Sequence, residues 1–197
     1  MNFCTTCGAP VSLRIPPGDN LARYVCTACD AVHYQNPKVV AGCVPAWGNR
    51  ILMCRRAIEP RYGLWTLPAG FMENGETAMA AAAREAREEA RAHMLDLALF
   101  ALYSLPQINQ MYVMFRGVLR DGAAGVGEES LEVRLFDESE IPWAELAFPT
   151  IHETLERYFV DRRAGAFGIH HGDITRDADR RVQVRRYQPA YLSRRGS

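Results

Sequence analysis

Three carboxylates fall within a five-residue window that reads as helix: Glu85, Glu88 and Glu89, at spacing i, i+3 and i+4. At 3.6 residues per turn they share one face. Met79, Ala82, Ala86 and Ala90 lie on an adjacent face available to a core, and Arg84, Arg87 and Arg91 on the other flank. Like charges so spaced repel by about 0.2–0.5 kcal/mol per pair on an exposed helix, and by more when partly buried. A divalent cation reverses that sign. A dense set of hard oxygen ligands suits Mg2+ or Mn2+ arriving with the phosphates of a substrate. Periodicity alone leaves a second reading open, a solvated face on which Arg84 pairs with Glu88 at i+4.

The second constellation is Cys4-x2-Cys7 with Cys26-x2-Cys29. Two such pairs suit a tetrahedral Zn2+ site with four thiolates, which has no open coordination position and is therefore structural. A stretch this short buries little apolar surface, so the metal would supply its folding energy. His33 could replace one ligand, although an ordinary packing role is the simpler expectation. Cys43 and Cys54 sit alone in expected strands and read as small buried hydrophobes.

The elements that must position these groups follow from pattern. Residues 1–35 carry the cysteines, and Asn36-Pro37 is a boundary, since a residue before Pro avoids helix. Val39–Val44 and Ile51–Arg55 read as strands of a hairpin turning near Trp47-Gly48-Asn49. Leu64–Leu67 reads as a short strand stopped by Pro68-Ala69-Gly70. Thr77 to about His93 is the strongest helix. Leu97–Leu105, Met111–Leu119 and Leu131–Phe136 read as strands, and Pro149 or Thr150 to Asp161 as a helix with an apolar stripe. After Arg163 no periodicity is visible, and the adjacent His170 and His171 read as solvent-exposed.

Gly70-x5-Glu76-x7-Arg84-Glu85-Ala86-x-Glu88-Glu89 resembles the Nudix box, in which Gly, Glu and an Arg-Glu-aliphatic-x-Glu-Glu run stand at these spacings. One position departs: Arg91 stands where the box has its final Gly, which leaves the exit of the helix open. The approach Gly63-Leu64-Trp65-Thr66-Leu67-Pro68-Ala69-Gly70-Phe71 and the later Glu128-Glu129-Ser130-Leu131-Glu132 are also similar to the family. The four cysteines ahead of the box resemble a zinc-ribbon Nudix subfamily whose plant members are associated with FAD and ADP-ribose hydrolysis.

The resemblance implies an α/β fold: the Nudix α/β/α sandwich with a mixed sheet, preceded by a small N-terminal zinc ribbon. The expected division is ribbon 1–35, Nudix hydrolase domain 36–163 and Arg-rich C-terminal tail 164–197. It implies a hydrolase that cuts the diphosphate linkage of a nucleoside diphosphate derivative. The cations (Mg2+ or Mn2+) would be held by Glu85, Glu88, Glu89 and the Gly70 carbonyl, with Arg84 orienting the cluster through Glu76 or Glu88. A box glutamate, Glu129 or next Glu128 would accept the proton of the attacking water. Trp65, Phe71 and Tyr112 are candidates to stack a substrate ring. NADH diphosphatases of the family carry a Ser-Gln-Pro-Trp-Pro-Phe-Pro segment where this chain has Ser104-Leu105-Pro106-Gln107-Ile108-Asn109-Gln110, which disfavours that specificity. Pro106 resembles a proline of ADP-ribose hydrolases.

Charge and composition bound the alternatives. The net charge is zero, but residues 162–197 hold nine Arg and three Asp. The competing class is a ligand-sensing regulatory Nudix protein that grips nucleic acid through the ribbon and the basic tail. Such proteins typically lose box glutamates, which this chain keeps, so nucleic acid is not the expected partner and a homodimer is. The N-terminus lacks the apolar run of a signal peptide, and Leu95–Leu105 is too short to span a bilayer. A cytoplasmic protein without membrane contact is therefore expected.

Overall fold

The computed structural model describes residues 1–191. It separates into two units, Met1–Pro37 and the chain from Lys38 onward. The first is a three-stranded antiparallel sheet of β1 (Val11–Arg14), β2 (Arg23–Cys26) and β3 (Val32–His33), in the order β1-β2-β3.

The second unit contains β4 (Lys38–Trp47), β5 (Arg50–Arg56), β6 (Trp65–Thr66), β7 (Ala69–Phe71), α1 (Ala78–Ala90), β8 (Met94–Leu105), β9 (Gln110–Leu119), β10 (Ser130–Phe136), α2 (Pro149–Ala164), β11 (Gly168–Arg176), β12 (Val182–Arg186) and β13 (Ala190–Tyr191). Its main sheet runs β10-β5-β4-β9-β8-β11-β12. It is mixed: β4 with β9 and β8 with β11 are parallel, and the other neighbours antiparallel. The β4–β5 hairpin turns on Gly48-Asn49, with Gly48 at φ +58° and Trp47 paired to Arg50, as a two-residue turn requires.

Alternation along β4 builds the layers. Val40, Val44 and Ala46 pack with Ile151, Leu155 and Phe159 of α2 on one face, whereas Ala41 and Cys43 pack with Ala81, Ala82 and Ala86 of α1 on the other. The two helices thus cover opposite faces of one sheet, an α/β/α sandwich. Cys43 and Cys54 are buried hydrophobes, and burial pushes both thiols far above their usual range.

The segment read as a tail is structured. Residues 168–186 supply β11 and β12 at one side of the main sheet, and Arg186 holds the buried Glu153 of α2 through two 2.7 Å hydrogen bonds. Its pattern was silent because β11 finds its partner in β8, some seventy positions earlier, and its exposed flank keeps polar residues. Residues 192–197, the end of the expected tail, lie outside the described residues. The adjacent histidines split between faces. His170 is buried, 2.8 Å from Asp161 Oδ2 and edge-on to Phe100, while the exposed His171 stacks on Tyr187.

Candidate active site

Helix α1 begins at Thr77, whose hydroxyl accepts from Ala80 N–H at 3.1 Å, a conventional N-cap. Its small alanines let the helix lie close on β4, β7 and β9, with Glu85 and Glu89 turned to the inner edge of that contact. Only 8% of Glu85 and 6% of Glu89 is exposed. Gly70 of β7 lies directly under Glu85: a Cβ there would meet the carboxylate at 2.3 Å, so a side chain at 70 would push the carboxylate from this position.

Arg84 is the organiser. Its Nε and Nη2 donate to the two Glu76 oxygens at 3.1 and 2.8 Å, its Nη1 to Glu85 Oε1 and Glu88 Oε2 at 2.7 and 2.9 Å, and its Nη2 also to the Phe71 carbonyl at 3.1 Å. One planar cation therefore fixes three carboxylates and the end of β7. The Glu76 carboxyl is held below the usual range by Arg84. The Arg84–Glu88 pair of the solvated-face reading forms, but Glu85 and Glu89 are not solvated.

The helix exits without the glycine. Arg91 takes the left-handed conformation, φ +49°, and its N–H caps the Ala86 carbonyl. The last two carbonyls are satisfied by a passing loop: Gly125 N–H donates to Ala90, and Gly127 N–H and Ser130 Oγ donate to Glu89. A Cβ on Gly127 would lie 1.8 Å from the Glu88 carbonyl oxygen, so this crossing needs glycine. The loop carries Glu128 and Glu129 to the same cleft as the helix acids.

Burial, with the charges of Glu85 and Glu129 added, drives the Glu89 carboxyl up to about 8, and burial raises Glu85 as well. Glu89 Oε2 is buried with no hydrogen-bond partner. An unpartnered buried carboxylate oxygen among further carboxylates fits a divalent cation and is otherwise costly. The donor set is all oxygen, which suits Mg2+ or Mn2+.

These groups line a cleft of about 1090 Å3. Phe71, half exposed with Lys38 Nζ 4.9 Å from its ring centre, and the buried Tyr112 also line it. Trp65 does not. It is 6% exposed and packs edge-on against Phe136 in the core at 4.8 Å, because its place in β6 turns it inward. The sequence reading of Trp65 as a stacking residue is corrected accordingly. Missed were Arg56, at the end of β5, and the wall built by Gln107 and β11. The Gln107 amide clamps the Arg176 backbone by hydrogen bonds of 2.8 and 3.0 Å, and Ile174 and Val182 face the same space. No local pattern marks these residues, since each reaches the cleft through long-range strand pairing.

In the first unit the four cysteine sulfurs lie within 4.8 Å of one another, with Cys7 Sγ 3.4 Å from Cys26 and Cys4 Sγ 3.8 Å from Cys29. A tetrahedral Zn(Cys)4 site with Zn–S bonds of about 2.3 Å has sulfur–sulfur edges of roughly 3.8 Å, so the set fits. His33 Nε2 lies 3.3 Å from Cys4 Sγ, beside the four sulfurs and not in place of one. Burial opposes ionisation of Cys4, yet the Cys7 and Thr6 amides and the His33 ring bring its thiol down to about 5.

The comparisons with known proteins agree with this geometry. A family model described as Nudix N-terminal, of the zinc-ribbon type, matches residues 2–35, and the NUDIX domain model matches residues 36–158. An ADP-ribose pyrophosphatase of Methanocaldococcus jannaschii is 29% identical over 136 residues, covering 67% of this chain and 78% of that protein. An NAD-capped RNA hydrolase, NudC, of Stutzerimonas stutzeri is 27% identical over 81% of this chain, which spans 54% of that protein's length. A crystal structure of a NUDIX hydrolase from Nitrosomonas europaea superposes with a TM-score of 0.86 at 54% identity, over 89% of this chain and all of that one. The chain belongs to the Nudix family of hydrolases, with a Nudix-type zinc ribbon ahead of its hydrolase domain.

Proposed function

We propose that this chain hydrolyses the diphosphate linkage of a nucleoside diphosphate derivative, ADP-ribose or FAD first, releasing a nucleoside monophosphate. The observation that carries the reading is the unpartnered, buried Glu89 Oε2, which lines one large cleft together with Glu85, Glu88 and Glu129. Glu85, Glu88, Glu89 and the Gly70 carbonyl would hold Mg2+ or Mn2+. When bound, the cations neutralise diphosphate oxygens and lower the pKa of a water. Arg84 keeps Glu85 and Glu88 in place, and the glycine at 70 lets the backbone come up to the carboxylates. A carboxylate oxygen of Glu129, or of a box glutamate, would take the water's proton, and Glu129 rides on a loop pinned to the end of α1. Phe71 and Tyr112 offer ring surface to the rest of the substrate. Zn2+ held by Cys4, Cys7, Cys26 and Cys29 would keep the first unit folded.

The M. jannaschii relative named as an ADP-ribose pyrophosphatase supports the first choice of substrate. The NudC relatives support a second, an NAD-type dinucleotide, free or at the end of an RNA, and so weaken the expectation that nucleic acid plays no part. No described helix is long and apolar enough to cross a membrane. Turnover of ADP-ribose, FAD, NADH, NAD-capped RNA and nucleoside triphosphates, each with Mg2+ and with Mn2+, tests the reading. ADP-ribose or FAD should give the highest kcat/KM; preference for triphosphates would overturn it.

A further inference from the structure

The NUDIX domain match ends at residue 158, but the cleft extends past it. Ile174, Thr175, Arg176 and Val182, all on the β11–β12 hairpin, line it as well. This part of the wall has no role in the apparatus above. In the antiparallel register Ile174 stands opposite Val184 and Arg176 opposite Val182, so these four share one side of the hairpin. Ile174 and Val184 join the core, as does Leu105. Val182 is the next position along that side, where the core stops, and 40% of it is exposed. Ile108, the last residue of the short turn after β8, lines the same cleft and is 56% exposed.

The hairpin is fastened at both ends. Gln107, next to Ile108, donates to the Arg176 carbonyl and accepts from the Arg176 N–H, directly across from Val182. At the other end of β12, Arg186 grips the buried Glu153 of α2. The same contacts use polar groups that a substrate would otherwise meet: the Gln107 amide is engaged with backbone, and Arg176 Nη1 donates to the Arg180 carbonyl at 2.9 Å. The surface left to the cleft is largely aliphatic, with Thr175 and Gln110 as polar groups beside it. Such a surface offers little to the hydroxyls of a sugar. It matches the face of a planar ring, whose burial removes apolar area from water on both partners. β11 also stands three strands from β4, the strand that pairs with β7 and Gly70, roughly 14 Å at about 4.8 Å per strand. The wall is thus set apart from Gly70 across the sheet.

We propose that Val182 and Ile108, held by the Gln107–Arg176 clamp, form a specificity wall that packs on a planar ring in the second half of the substrate. A dinucleotide that carries such a ring, flavin or nicotinamide, is then preferred to ADP-ribose, whose second half is a bare sugar. The inference rests on the hydrolase reading for the diphosphate that joins the halves. FAD, NADH and ADP-ribose share an ADP half and differ only beyond it. The ratio of kcat/KM for the better ring-bearing substrate to that for ADP-ribose therefore isolates the wall. With Mg2+ the wild type should favour the ring-bearing substrate. Val182→Ser and Ile108→Ser should each lower the ratio, and together about ten-fold, the low end of what an apolar pocket contributes to discrimination, through KM and not kcat. Both side chains are well exposed, so neither change opens the core. A wild type that favours ADP-ribose overturns the wall, and so do equal losses on all three substrates, which would assign these side chains to the common adenine. Binding to full-length protein gel-filtered free of Mg2+ and Mn2+, followed by the fluorescence of FAD and NADH with ADP-ribose as competitor, separates the wall from the hydrolytic reading. Tighter binding of a ring-bearing dinucleotide than of ADP-ribose, reduced in the double variant, in a protein that hydrolyses none of them, would keep the wall and remove hydrolysis. Turnover with the same ratio in wild type and double variant would do the reverse.

Discussion

Replacing Glu89 by Gln should stabilise the cation-free protein at neutral and alkaline pH while abolishing its response to divalent cations. The Glu89 carboxyl is raised from 4.5 to about 8 by burial and by the charge of Glu85. For an acid whose folded pKa lies above its unfolded one, the stabilisation is complete below the unfolded value and is lost as pH rises through the folded one. The wild type should therefore lose stability between about pH 5 and pH 8. At about 1.4 kcal/mol per unit the loss is roughly 4 kcal/mol. For a protein of this size that is roughly 8–16 °C in Tm. Glu89→Gln carries no charge to bury and should be nearly flat over the same window, apart from a smaller contribution of the same sign from Glu85. Mg2+ or Mn2+ should restore the wild type at pH 8, by about 2.7 kcal/mol at a hundred times Kd, and should do little for the variant. The assay is thermal unfolding followed by tryptophan fluorescence. All three tryptophans, Trp47, Trp65 and Trp143, belong to the second unit, so the ribbon does not enter the signal. Parallel pH profiles for wild type and variant without cations, or equal stabilisation of both by Mg2+, would refute the reasoning.

In the presence of cations, Glu88→Gln and Glu89→Gln should each lower kcat by at least about 10^2; near-normal steady-state turnover in both would place the chemistry elsewhere. Gly127→Ala must displace the loop from the Glu88 carbonyl and with it the caps on Glu89 and Ala90, a change on the order of 2–4 kcal/mol. A denaturation midpoint equal to wild type would contradict the close packing described. Metal analysis of purified protein should find about one zinc per chain, and thiol titration should show Cys4, Cys7, Cys26 and Cys29 protected until a chelator removes it. A zinc-free protein with freely reactive thiols would remove the structural-metal assignment.

What could be read from the sequence was what lies close along the chain. The acids of α1, their shared face, the Arg84 pairs and the two CxxC knuckles all depend on spacings of a few residues, and the structure brings each set together. What could not be read is set by partners far away. Trp65 sits beside the box, yet a two-residue strand paired to β5 turns it to Phe136. Arg56 looks like one of two ordinary arginines ending a strand until Phe148 and Pro60 enclose it. The C-terminal strands have too little apolar alternation to announce themselves, since β12 is exposed along most of its length.

Arg91 shows how an apparent defect in a motif is resolved. The usual glycine spares the helix end a left-handed residue with a side chain, a cost on the order of 1–2 kcal/mol. Here that strain is accepted at φ +49°. The crossing loop meets the Glu89 and Ala90 carbonyls with three donors and brings its own glycines, Gly125 and Gly127, to the contact. Gly125 packs against the Arg91 side chain, where a Cβ would come within 3.3 Å of Arg91 Cδ. The glycine requirement has thus moved from the helix to the loop that closes it. That loop also delivers Glu128 and Glu129 to the cleft, so the device that caps α1 is the one that completes its acidic end.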